Sequence, residues 1–137
     1  LSAANISLVT DCAPATIVCN RDLLVTAFSN FIDNSRKASA NGSRIELNGI
    51  TDNNRYILSV KDYGIGMKKE HLDKICNEFY MIDKSRSRSE GSAGLGLSLA
   101  AIIVNRHNAL LQIDSEEGIG TTVSVIFNLP EREVSEV

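Results

Sequence analysis

Apolar residues recur along this chain at two spacings, and the changes of spacing mark out its elements. Around the turn residues Asp11 and Pro14, apolar side chains cluster or alternate over residues 6–10 and 15–19, which predicts two short strands. From Arg21 to about Ala40 the positions Leu24, Phe28, Phe31, Ser35 and Ala38 follow a helical repeat, with Asn20 or Asp22 as cap and Asn41-Gly42 as stop. Residues 44–51 and 55–61 alternate as half-buried strands do, and Asp52-Asn53-Asn54 joins them in a hairpin. A short helix is predicted over residues 68–77. Residues 78–93 are dominated by Ser, Lys, Arg and Glu without a period, which predicts a flexible lid. From Leu95 to His107 the apolar positions nearly encircle a helix, so it must be buried on most sides; Asn108 tolerates the left-handed conformation that closes it. Residues 110–114 and 121–128 form two further strands about the turn Glu117-Gly118-Ile119-Gly120, and the charged residues 131–137 form a frayed tail.

These elements fit one domain over residues 1–137, of the α/β (α+β) class. It is a two-layer sandwich in which a mixed, largely antiparallel sheet carries three helices on one face. The strand order is not legible from the pattern. A length of 137 residues, 43% of them hydrophobic, is enough for a single core. The net charge of -3, with Lys84, Arg86 and Arg88 as the one basic cluster, argues against a nucleic-acid surface. Cys12, Cys19 and Cys76 show no C-x-x-C spacing, which supports neither a disulfide framework nor a zinc site and points to a reducing, cytosolic setting. No apolar run approaches the ~20 residues of a membrane span. The chain begins at Leu1 without an initiator Met, so it is expected to be a piece of something longer.

Two glycine-bearing stretches carry the candidate chemistry. Asp62-Tyr63-Gly64-Ile65-Gly66-Met67 places a carboxylate beside two glycines after an apolar strand; such a carboxylate can accept from an exocyclic amine while glycine lets backbone approach closely. Gly91-Ser92-Ala93-Gly94-Leu95-Gly96-Leu97 opens an apolar helix, where unpaired N–H groups and the helix dipole favour phosphate. Together they suggest a nucleotide pocket. The second stretch is not a P-loop, because Leu97 stands where that motif needs Lys. Asp62-Tyr63-Gly64 is not the metal-binding triplet of protein kinases, because the chain has no H-R-D loop. On the long helix, Asn30, Asn34 and Lys37 fall in one ~60° band beside the apolar stripe.

The order of these motifs resembles the catalytic ATP-binding domain of sensor histidine kinases, of the Bergerat ATPase fold, over about residues 20–130. Residues 30–38 are similar to that family's N box, 62–67 to its G1 box, Phe79-Tyr80 to its F box, 91–97 to its G2 box, and 118–122 to its final glycine-threonine turn. The resemblance implies Mg²⁺ and ATP as cofactors. It implies that Asn34 holds Mg²⁺ with Asn30 in support, that Lys37 reaches the phosphates, and that Asp62 accepts from the adenine amine with Thr121 at the same end. It places Gly64, Ile65, Gly66, Met67, Phe79, Gly91, Gly94, Leu95, Gly96 and Leu97 around the nucleotide. The implied reaction is in-line attack of a histidine imidazole on the γ-phosphorus.

Several positions depart from the family pattern. Glu78 and Met81 flank Phe79-Tyr80 in place of the usual Pro and Arg, so the role of a phosphate-facing arginine moves to Arg86 or Arg88. Ser92-Ala93 replaces Gly-Thr. His107 reads as a helix-end residue, and neither His71 nor His107 is followed by the acidic residue of a phospho-acceptor. The resemblance therefore implies a fragment whose partners are an upstream dimerisation and acceptor-histidine domain and a response-regulator receiver domain. The fragment is expected to be monomeric and cytoplasmic, and the parent homodimeric and anchored in the cell membrane. Two alternatives stay open. A hydrolytic ATPase similar to gyrase or the heat-shock chaperones would need Glu where Asn30 stands, since an amide is no general base. A pseudokinase or nucleotide-sensing module would bind ATP without transfer.

Overall fold

The computed structural model of the chain describes residues 5–75 and 95–129. Seven elements are bounded in full: β1 (Ser7–Cys12), α1 (Arg21–Ala38), β2 (Arg44–Asp52), β3 (Arg55–Asp62), α3 (Leu95–Arg106), β4 (Leu110–Glu116) and β5 (Gly120–Asn128). A further helix, α2, occupies residues 69–75. The expected lid at 78–93 and tail at 131–137 lie outside the described residues.

The five strands form one mixed sheet in the order β1-β2-β3-β5-β4. Only β1 and β2 run parallel, and parallel neighbours need a crossover, which α1 supplies. The other pairings are antiparallel. The β2–β3 hairpin closes through Asn53-Asn54, where Asn53 takes a φ of 57° that asparagine tolerates better than most residues.

The second predicted strand, at 15–19, does not form. Ala13 still donates to the Gly49 carbonyl at 2.9 Å, but its own carbonyl accepts from the Tyr56 hydroxyl at 2.7 Å and the ladder goes no further. The chain leaves the sheet there, and Ala13 and Ile17 pack against the core on the way to α1. The long helix also stops at Ala38 rather than Ala40, where Ser39 turns extended and returns its N–H to the Arg36 carbonyl.

The core lies between the sheet and the helices. Ala27 and Phe31 of α1 and Ala100, Ile103 and Val104 of α3 meet Val60, Val123, Val125 and Phe127 of the central strands. Alternation along β3 turns Tyr56, Val60 and Asp62 to this side, so a carboxylate ends the buried row. The helix ends are closed by specific bonds. The Asn20 side chain accepts from the Leu23 N–H at 3.1 Å and caps α1. Asn108, at φ 58°, donates to Asn105, and Ala109 donates to Val104, the paired pattern of a Schellman close. His107 joins both ends: its Nε2 accepts from the Asn20 N–H at 3.0 Å and its Nδ1 lies 2.8 Å from the Ile103 carbonyl.

Candidate functional site

Asp62 is the last residue of β3 and is only 3% exposed. Its Oδ1 accepts from the Gly64 N–H at 2.9 Å, a local turn that aspartate favours, and from the Thr121 N–H at 3.2 Å. The second bond follows from sheet register, since Thr121 is the β5 partner of Asp62. Among the described residues Oδ2 has no partner. A buried carboxylate oxygen in that state is an acceptor awaiting a donor.

The loop after Asp62 is fixed by its own chain. Ile65 donates to the Ala38 carbonyl at 3.1 Å, and the Ile65 carbonyl accepts from Gly118 at 2.7 Å. A Cβ on Gly64 would overlap the Ala38 carbonyl, and one on Gly66, at φ 70°, would overlap the Glu116 carbonyl. Glycine is therefore required at both positions by the protein's own backbone. The Ile65 side chain is 70% exposed.

Sequence reading missed Ser115. Its oxygen accepts from the Met67 N–H at 2.9 Å and lies 2.7 Å from Thr121 Oγ1, tying the loop to the start of β5. The available signal was a polar residue in the row of β4 that also holds Leu111 and Ile113. A cleft of about 540 Å³ between the start of α2 and the end of β4 shares Met67 and Ser115 with this network and is also lined by Leu72, Asp73 and Glu116.

The second group of expected residues lies along α1. Asn30 is half-buried, and Asn34 and Lys37 are exposed. Lys37 Nζ lies 3.4 Å from Asp33, which also pairs with Arg36. The Arg36 hydrogen bond, with Lys37 assisting, holds the Asp33 carboxyl below the usual aspartate range. Ala38, the residue after Lys37, is the one bonded to Ile65, so the end of α1 abuts the Asp62 loop. Leu95, Gly96 and Leu97 occupy the first turn of α3, whose N–H groups lack intrahelical acceptors. The fold thus gathers Asp62, Gly64, Ile65, Gly66, Met67 and Thr121 at one end of the site and brings α1 against it. Phe79, Arg86, Arg88, Gly91 and Gly94 lie outside the described residues.

The pattern of the histidine kinase-, DNA gyrase B- and HSP90-like ATPases matches residues 19–133. The chain belongs to this family. It is an ATP-binding domain of the kind that sensor histidine kinases carry. Signal transduction histidine-protein kinase ArlS of Staphylococcus aureus (strain USA300) is 41% identical over 100 residues, 73% of this chain, and the same match is found in strain COL. The matched region spans only 22% of that kinase. Among solved structures, the mycobacterial sensor histidine kinase MprB aligns with a TM-score of 0.71 at 22% identity, covering 93% of this chain and 85% of that one. The histidine kinase domain of the Escherichia coli osmosensor EnvZ aligns at 0.68 and 20% identity, covering 97% and 80%. These likenesses show that the ATPase fold is shared. Among the described residues no helix is long and apolar enough to cross a membrane.

Proposed function

We propose that this ATPase domain binds Mg-ATP, with the base against Asp62 and the phosphates between α1 and the start of α3. It donates the γ-phosphoryl group to a histidine on an upstream dimerisation domain of a membrane-anchored, homodimeric two-component kinase, from which a receiver domain then takes it. The observation that carries the reading is the Asp62 carboxylate, buried, held through one oxygen by two backbone N–H groups, and without a partner among the described residues at the other. In this role Asp62 accepts from the 6-amino group of adenine. Lys37, exposed beside Asp33, donates to a phosphate oxygen, and the N–H groups of Leu95, Gly96 and Leu97 add neutral donors. The acceptor imidazole attacks the γ-phosphorus, the bond to the β,γ-bridging oxygen breaks, and ADP leaves.

The donor set suits a hard cation that takes most of its ligands from phosphate and water. Among the described residues there is no cluster of three or more His, Cys, Asp or Glu, whereas Asn34 presents an exposed amide oxygen on α1 one turn after Asn30. Asn34 would hold Mg²⁺ with Asn30 in support, and the bound ion would neutralise charge on the phosphates.

Calorimetric titration with a non-hydrolysable ATP analogue tests both ends. We expect binding in the wild-type chain, at least about a tenfold loss in Asp62→Asn, and loss of the Mg²⁺ dependence in Asn34→Ala. A folded chain that ignores adenine nucleotides overturns the proposal. Phosphate appearing on a separately supplied acceptor hairpin supports transfer; ATP binding without it favours a nucleotide sensor.

A further inference from the structure

A hydroxyl has one proton to give and two lone pairs to receive. The Ser115 oxygen accepts from Met67 N–H at 2.9 Å, lies 3.2 Å from the Gly120 carbonyl oxygen and 2.7 Å from Thr121 Oγ1. The Gly120 carbonyl can only accept. If Ser115 donates to it and Thr121 donates to Ser115, all three contacts are hydrogen bonds and Ser115 is saturated. The reverse direction, Ser115 donating to Thr121, leaves the Gly120 oxygen without that proton. Thr121, its own proton turned to Ser115, then has only lone pairs to offer a ligand. Its register partner Asp62 offers the same through Oδ2.

We propose that Ser115 is a positioning residue for base recognition. By fixing the direction of the Thr121 hydroxyl, it leaves the side chains of Asp62 and Thr121 offering acceptors alone, which selects a purine carrying a 6-amino group over one carrying a 6-carbonyl. An amine can donate to both acceptors, whereas a carbonyl facing them loses its water and gains no partner. The inference rests on the nucleotide reading above and adds to it the residue that sets its specificity.

The test is titration of the full chain with the β,γ-imido analogues of ATP and GTP. The wild-type chain prefers the ATP analogue. Ser115→Ala lowers that preference up to about tenfold, because the freed Thr121 hydroxyl can turn and donate to a carbonyl. Thr121→Val, which removes the hydroxyl and keeps its shape, brings the ratio to a similar level, and the double variant goes no further. If Ser115→Ala keeps the wild-type ratio, whether both affinities fall together or neither moves, Ser115 is only a structural support and the inference is overturned. Should Ser115→Ala fail to fold, an unchanged ratio in Thr121→Val overturns it equally. A folded wild-type chain that binds neither analogue removes the nucleotide reading itself, and the inference with it.

Discussion

Gly66 and Gly42 both take positive φ, at 70° and 90°, but only Gly66 has backbone pressed against it. Alanine at Gly42 meets open space and faces conformational strain alone, on the order of 1 kcal/mol. Alanine at Gly66 adds overlap with the Glu116 carbonyl and must push the loop off the end of β4. We expect Gly66→Ala to lower the melting temperature clearly more than Gly42→Ala, measured side by side by circular dichroism. Equal losses would mean that the loop yields freely. Asp62 was legible at this scale because a carboxylate beside two glycines, weak as a signal alone, stands in order with the other motifs of the chain. Ser115 was not, because its importance depends on Met67 and Thr121, which only the folded chain brings to it.

Among the elements, α1 starts where α3 ends, and His107 joins them. Its Nε2 takes the Asn20 N–H, so the ring nitrogen that carries the proton is Nδ1, which donates to Ile103. Removing the ring leaves the N–H at the start of α1 without its protein acceptor. We expect His107→Ala to cost about 1–2 kcal/mol in urea unfolding, with faster hydrogen exchange at the Asn20 amide. Protection unchanged at that amide would show that the bond is dispensable. Both helices were readable from apolar spacing and end signals, and the hairpin from its polar turn. The stretch at 15–19 misled because a short apolar run reads alike in a strand and in a packed connection. The ladder ends at Ala13, whose carbonyl accepts from the Tyr56 hydroxyl, a contact between residues 43 positions apart that local pattern does not carry.

At the scale of the molecule, Asp33 and Glu46 are both held below the usual carboxylate range. Arg36 acts first on Asp33, and Arg44 acts first on Glu46, with the Tyr63 hydroxyl assisting. A lowered native pKa contributes stability above the unfolded value and loses it as pH falls through the native one. We expect a modest fall in stability on that acid side, for these are exposed pairs, and carboxyl NMR titrations with midpoints below those of the unfolded chain. Midpoints at unfolded values would refute the ion pairs. Strand order was the part of the fold that pattern could not supply, because it is decided by which edges meet across long stretches of chain. The pairing of β3 with β5 is the clearest case, joining Asp62 to Thr121 over 59 positions. That pairing also sets an order of events during synthesis. A chain emerging from the ribosome can close the β2–β3 hairpin early, but Asp62 waits for its second N–H until residue 121 is free, so this corner of the sheet is completed only after α3 and β4 have been made.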